Sequence, residues 1–276
     1  MSAILVGLNQ IEPLRRALGA LERSTERERL EILVVDLGSD DGSPQIDSEF
    51  PNIVILRLPH NFGATKAMNI STRTAKADLV FYLSPDVEVA PETVQKLADT
   101  LEADSDAAAV CPLLVDETGK PVSKVFKLPT AESLKGTMTP VEMDLDQESV
   151  NVEYPGRDAV LVRKQFVKGM NYFDERYGEF WADADLAIQI RRGLKKIRMY
   201  PAIRAVKHAD TSPDASRGLL AADRAGGAAA LIGKYYGFMA GLSFRIGAIF
   251  RALGRFDIKQ LIALLSGGKV DGSQAG

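Results

Sequence analysis

Residues 32–43 read ILVVDLGSDDGS. Four apolar, mostly β-branched residues run directly into an aspartate and a stretch of glycine, serine and aspartate. That order predicts a buried strand, Ile32 to Val35, ending in a tight polar turn. The same grammar extends outward on both sides. Upstream, Ala3 to Leu8 is a second buried-strand run, and Ile11, Leu14, Leu18 and Leu21 then recur at helical spacing. Downstream, Ile53 to Leu56 predicts a strand, Phe62 to Ala77 a helix and Leu79 to Leu83 another strand. Pro91 stands where the first turn of a helix would begin, and Val94, Leu97 and Leu101 supply its apolar stripe. Strand–helix alternation of this kind implies an α/β fold, with a parallel sheet covered on both faces.

The middle of the chain changes character. Val110 to Val115, the turn residues Asp116 to Gly119, and Val122 to Phe126 read as a hairpin. Pro129 to Ser149 is polar, acidic and weakly periodic, and is expected to be a loop, either mobile over a site or a plain surface insertion. A second block follows: a strand at Ala159 to Arg163, a helix at Ala184 to Arg192, and strands near Ile197 to Tyr200 and Ala205 to Lys207. From Ser216 the pattern is helical, giving an expected domain over 1–215 and a helical appendage over 216–276.

Composition narrows the class. A chain of 276 residues with a net charge of −3 lacks the basic footprint of a nucleic-acid binder. The single cysteine, Cys111, lies in an apolar run, so no internal disulfide forms and buried packing is expected. The opening MSAILVGLNQ has no basic n-region, and the longest candidate span, Tyr235 to Phe244, is bounded by Lys234 and Arg245. A soluble or peripheral protein is expected.

In an open parallel sheet, ligands bind beyond the carboxyl ends of the strands. Asn9 follows the first strand; Asp36, Gly38 and Ser39 follow the second; Ser84 and Asp86 follow the fourth. Two carboxylates on one sheet edge suit a nucleotide and a divalent cation. Asp36 could accept from a base N–H or merely cap its turn. Asp86 could hold Mg2+ or Mn2+, hard ions that prefer oxygen, or merely cap the helix near Pro91. Asp183 and Asp185 sit at a predicted helix start, where one is expected to cap the helix and the other to be free for chemistry. No G-x-G-x-x-G follows the first strand, and no Walker loop, G-x-S-x-G elbow or Cys/His zinc pattern occurs.

At this point a resemblance becomes specific. AILVGLN, VVDLGSDDGS, NFGATKAMNISTRTAKADLVFYLSPDVEVAPETVQKL and AVLVRKQFVKGMNYFDERYGEFWADADLAIQIRRGLKKIRMYPAIRAVKH occur in the order of the corresponding segments of family 2 glycosyltransferases. The chain resembles that family over roughly Ser2 to His208, and most of all its rhamnosyltransferase-like branch, found in bacterial cell-surface polysaccharide synthesis. The resemblance implies the GT-A fold, a Rossmann-like nucleotide-diphospho-sugar transferase with a mixed, mainly parallel sheet, helices on both faces and C-terminal helices. It implies inverting transfer of a sugar from a nucleotide-diphosphate donor to a glycan or lipid-linked acceptor, with Mg2+ or Mn2+, in the cytoplasm at the inner face of the membrane. Carried over by position, Asp36 contacts the nucleobase; Asn61, Gly63 and Lys66 belong to the donor segment; Asp86 is the surviving aspartate of the metal motif, with Ser84 at its first position; Asp183 is the catalytic base; and His208 lies near metal and diphosphate.

Several positions depart from the family's pattern. Leu37 replaces a polar residue, Gly7 and Leu8 replace a threonine and an aromatic, Ala182 replaces a glutamate before the base, and Gly156-Arg157-Asp158 lacks a small pair. Leu37, Ser84 and Ala182 motivate an alternative, a catalytically inactive nucleotide-binding or scaffolding relative. A sugar nucleotidyltransferase is disfavoured because GLNQIEPLRR has no Gly-rich, Arg-containing loop. In the tail, Leu242, Ile246, Ile249, Leu253 and Phe256 share one helical face, with Arg245, Arg251 and Arg255 off it. That face predicts peripheral contact with an anionic membrane, packing on the domain, or a homodimer.

Overall fold

The computed structural model describes residues 1–209 and 217–271. The expected domain boundary at 215/216 lies outside the described residues. Nine strands form one sheet: β1 Ser2–Gly7, β2 Glu31–Asp36, β3 Val54–Arg57, β4 Leu79–Leu83, β5 Val87–Val89, β6 Ala107–Val115, β7 Val150–Val152, β8 Ala159–Arg163 and β9 Lys196–Lys207. The helices are α1 Ile11–Glu22, α2 Gly63–Thr74, α3 Thr93–Ala103, α4 Lys164–Gly169, α5 Ala182–Arg192, α6 Arg217–Tyr236, α7 Phe238–Gly254 and α8 Ile258–Ser266.

The strand order is β3-β2-β1-β4-β8-β6-β9-β5, with β7 also paired to β9. β1 to β4 are mutually parallel, β8 runs antiparallel to β4 and β6, and β6 and β9 run parallel to each other. The sheet is therefore mixed and mainly parallel. Alternation along each strand sends residues to opposite faces. Ala3, Leu5, Ile32, Val34 and Phe81 pack under α1 and α3, while Ile4, Leu33, Val80 and Tyr82 pack under α2, α5 and α6. Ala228, Leu231 and Ile232 of α6 belong to this second core, so the first C-terminal helix is part of the main fold.

The expected hairpin after β6 forms only its first rungs. The turn itself is present: Gly119 sits at φ +85, and Asp116 N–H donates to the Lys120 carbonyl at 2.9 Å. The second arm returns as far as Ser123, with Val115 bridged to Pro121 and Val122 N–H donating to the Leu114 carbonyl at 2.9 Å, and then leaves β6 to bridge Phe126 to Tyr154. The arm goes no further because β8 already holds that flank of β6 at Ala109 and Val110. The stretch Pro129 to Ser149 is irregular apart from a 3-10 turn at Ser133–Lys135. It buries Leu134 and packs Met138, Met143 and Leu145 on the core. Cys111 is buried, and burial pushes its thiol up to about 12.

Candidate active site

The carboxyl ends of β1, β4 and β9 and the start of β8 meet at one edge of the sheet. A cleft of about 340 Å3 opens there, walled by Leu8, Leu37, Met68 and Phe180 and carrying the polar groups of Asn61, Ser84, Asp86, Arg157, Asp158 and Glu179. A larger hollow of about 850 Å3 lies at the opposite end of the sheet, around Ser105, Arg163 and Lys195. That hollow is away from the carboxyl ends of the strands, so the cleft is the candidate site.

Asn61, Ser84 and Asp86 are the sequence-predicted residues that line the cleft. Ser84 N–H donates to the Asp158 carbonyl at 2.7 Å and Val87 N–H to Ser84 at 3.0 Å, a turn that aims Asp86 inward. Asp86 is 5% exposed, and its Oδ1 has no hydrogen-bond partner. Its Oδ2 lies 3.6 Å from Lys207 Nζ, and the same ammonium pairs with Asp158. An orphaned buried carboxylate oxygen beside a second carboxylate fits a hard cation. Among the described residues, no cluster of three or more His, Cys, Asp or Glu side chains is arranged around a cation position. A cation held by Asp86 would need further oxygens from outside the protein, which a diphosphate has.

The loop after β2 is bonded to itself. Asp36 is 2% exposed and accepts from the N–H groups of Gly38 and Ser39, each at 3.2 Å to Oδ2. Asn9, at φ +50, donates its N–H to Ser39 Oγ at 2.9 Å and accepts from Asp40 N–H at 2.8 Å. A Cβ on Gly38, at φ +80, would meet the Pro59 carbonyl at 3.1 Å. Asn9, Asp36, Gly38 and Ser39 thus form the scaffold behind the cleft, and Leu37 is the loop residue lining it. Lys66 lies off the cleft, its ammonium 4.3 Å above the Phe62 ring. His208 is next to Asp86 through the backbone, its N–H donating to the Asp86 carbonyl at 2.9 Å. Its ring is held by Glu117 at 2.7 Å and Glu88 at 3.1 Å.

The start of α2 closes the cleft on another side. Gly63 N–H donates to Asn61 Oδ1 at 2.9 Å, Ala64 N–H to Glu179 Oε2 at 3.1 Å, and Thr65 N–H to the Gly178 carbonyl at 3.1 Å. Gly63 has no room for a side chain, because a Cβ would lie 2.5 Å from the Val270 carbonyl. Glu179 also pairs with Arg157, whose Nη1 donates to the Glu179 carbonyl at 2.8 Å.

Asp183 lies deeper, on a narrow cavity that shares Met68, Tyr82 and Arg157 with the cleft. Its Oδ2 accepts from the Tyr154 hydroxyl at 2.9 Å. Crowding by protein raises its carboxyl above the usual range, opposed by the Arg157 charge and by the Tyr154 hydrogen bond. The expectation that one of the two aspartates caps α5 is corrected. Trp181, at φ +80, occupies the cap position without a side-chain cap bond. Asp185 instead is fully buried, accepting from Lys234 at 2.7 Å and from the Tyr235 hydroxyl. The reason is geometric: Asp185 faces α6 across the core, where an ammonium and a phenol are available. Tyr154, Arg157 and Glu179 were not picked out as site residues by the sequence. Of the three, Arg157 alone had a sequence signal, the departure at Gly156-Arg157-Asp158.

The comparisons with known proteins give a family and a fold. The model for "Glycosyl transferase family 2" matches residues 2–146. The N-acetylglucosaminyl-diphospho-decaprenol L-rhamnosyltransferase of Mycobacterium tuberculosis is 27% identical over 200 residues, covering 63% of this chain and 64% of the relative. The chain therefore spans a little under two thirds of that relative's length. Among solved structures, GalNAc-T7 with UDP, GalNAc and Mn2+ superposes with a TM-score of 0.63 at 15% identity, covering 79% of this chain and 45% of that one. The Pyrobaculum calidifontis mannosyltransferase PcManGT, in complex with GDP-Man and Mn2+, gives 0.57 at 15%, covering 95% and 80%. These likenesses establish the GT-A fold.

Proposed function

The chain belongs to glycosyl transferase family 2, and from that premise we propose that it is an inverting, divalent-metal-dependent glycosyltransferase. Its donor is a nucleoside-diphosphate sugar. Its acceptor is a glycan or a lipid-linked sugar, the latter favoured by the M. tuberculosis relative, and the product belongs to cell-surface polysaccharide synthesis. The observation that carries the reading is the junction of two carboxylate environments. Asp86 faces the cleft with an unpartnered oxygen, and Asp183 lies one cavity deeper, joined to it through Met68, Tyr82 and Arg157.

The donor's nucleoside rests against Leu8 and Leu37, behind which the Asp36 loop is held rigid. Asp86 would hold Mg2+ or Mn2+, with Ser84 and Asp158 beside it; when bound, the cation neutralises the charge that develops on the leaving diphosphate. Asp183 takes the proton from the acceptor hydroxyl. Its raised pKa makes it a stronger base than an ordinary carboxylate, while the Tyr154 hydrogen bond and the Arg157 charge keep the anion available. Arg157, fixed by Glu179, also sets the spacing between the two carboxylates. One displacement at the anomeric carbon inverts its configuration.

The test is a panel of nucleoside-diphosphate sugars with Mn2+ or Mg2+, scored for diphosphate release with and without sugar acceptors. At least one donor should turn over, and Asp183→Asn should stop turnover while retaining donor binding. Binding without release across the panel would instead favour the inactive nucleotide-binding relative, a reading supported by the buried apolar Ala182 and by Leu37 on the cleft wall.

A further inference from the structure

The outward face of α7 is almost entirely apolar. Phe238, Leu242, Ile246, Phe250 and Leu253 recur at helical spacing and are all exposed, Phe238 at 77% and Phe250 at 66%. The opposite face, Gly241, Phe244, Ala248 and Ala252, is buried. On α8, Ile258, Ile262 and Leu265 are likewise exposed, while Leu264 is buried. Both helices pack on α6 and on each other, so their outer faces adjoin. Phe256, in the turn between them, is 87% exposed.

This orientation is fixed by packing. A Cβ on Gly241 would lie 2.6 Å from the Ala229 carbonyl and 2.8 Å from Gly233. Only a glycine permits that approach, so α7 cannot rotate to bury its large side chains without losing its seat on α6. A contiguous exposed apolar patch of this kind marks a docking surface.

Charge identifies the occupant. Although the chain is net acidic at −3, the segment from Gly237 to Ser266 carries Arg245, Arg251, Arg255 and Lys259 against a single acid, Asp257. Asp257 is spent locally, accepting from Gln260 N–H at 2.9 Å as the cap of α8. No charged residue interrupts the apolar arc of α7. An uncharged apolar arc with cationic flanks suits the interface plane of an anionic bilayer. A second copy on the same face would bring like charges together.

We propose that the outer face of α7 and α8 docks on an anionic phospholipid bilayer, with the apolar arc in the headgroup–acyl boundary and the basic side chains at the phosphates. Arg251 and Arg255 also line a groove of about 610 Å3 that reaches Tyr154, the partner of Asp183. Docking in this way brings the mouth of that groove to the level of the headgroups.

The test uses the full chain without donor or acceptor, so its result is independent of the transferase reading. Flotation is measured with phosphatidylcholine vesicles with and without phosphatidylglycerol. The wild-type chain should bind the anionic vesicles, and binding should fall about tenfold or more in phosphatidylcholine alone and in an Arg251→Glu/Arg255→Glu variant. A Phe250→Glu/Leu253→Glu variant should lose binding with its unfolding temperature unchanged, because both side chains already face outward. Absence of wild-type binding, or equal binding by all variants, overturns the proposal. So does a dimer in light scattering that Phe250→Glu/Leu253→Glu dissociates while vesicles stay unbound, which would assign the face to a second copy.

Discussion

The loop after β2 and the start of α5 each place an aspartate near the cleft, but in different company. Asp36 accepts two N–H groups of its own turn, which a bond from Asn9 N–H to Ser39 then anchors to the end of β1. Asp183 accepts from Tyr154, twenty-nine residues earlier in the chain, and faces Arg157 from another strand end. The first carboxylate is satisfied by neighbours in sequence and holds a shape. The second is assembled by tertiary structure and holds a proton affinity. At Asp183 burial outweighs the Arg157 charge and the hydrogen bonds that the carboxylate accepts, and its carboxyl rises.

Substitutions test this contrast. The largest effect should come from Asp183→Asn, with kcat down by about 1,000-fold or more and donor affinity nearly unchanged in calorimetry. Stability should move the other way. Asp183 is raised in the fold, so its contribution is full below the unfolded carboxyl value and is lost as pH rises through its folded value. At pH 7 the ionised group is a net cost, and Asp183→Asn should unfold at an equal or higher temperature in calorimetric scans. A fall in that temperature would break the contrast.

Asp86→Asn should come next, weakening Mn2+-dependent donor binding and cutting turnover by about 100-fold. Titration of Mn2+ against donor affinity reads this directly; a metal response identical to wild type would remove Asp86 from the site. Asp185→Ala strips Lys234 of its buried partner and leaves it Asp174 at 3.7 Å as its carboxylate among the described residues. Breaking such a pair should cost about 3 kcal/mol in denaturant unfolding, separating this structural aspartate from the one two residues before it. The smallest effect belongs to Tyr154→Phe. Loss of the bond that favours the anion should shift the acid limb of the kcat/KM–pH profile up by about one pH unit.

The sequence was most legible where structure is local. β1 to β4 and α1 to α3 are runs whose period is set by one sheet face or one helix stripe, and they lie close to where the pattern puts them. The hairpin after β6 stops at Ser123 because β8, a strand that enters the sheet from far along the chain, already holds the same flank at Ala109 and Val110. The same reason explains the site. Asp86 was readable because it follows a strand at a fixed offset. Glu179 was not, since nothing local says that a glutamate in an irregular stretch will satisfy an amide at Ala64. The tail's apolar face was visible in the spacing, but which side of α7 faces inward was settled only by the Gly241 contact with Ala229.

One contact has a consequence for how the molecule comes to exist. Val270 N–H donates to Asp223 Oδ2 at 2.8 Å, the other oxygen of Asp223 accepts from Glu179 N–H at 3.0 Å, and Glu179 caps α2. During synthesis the early strands are available first, whereas this chain of bonds waits for Asp223 and Val270, which follow the last strand of the sheet. A nascent or prematurely terminated chain can therefore hold a nearly complete sheet while its cleft is still unfinished. Competence to bind donor should arrive late, as a step separate from acquiring the fold.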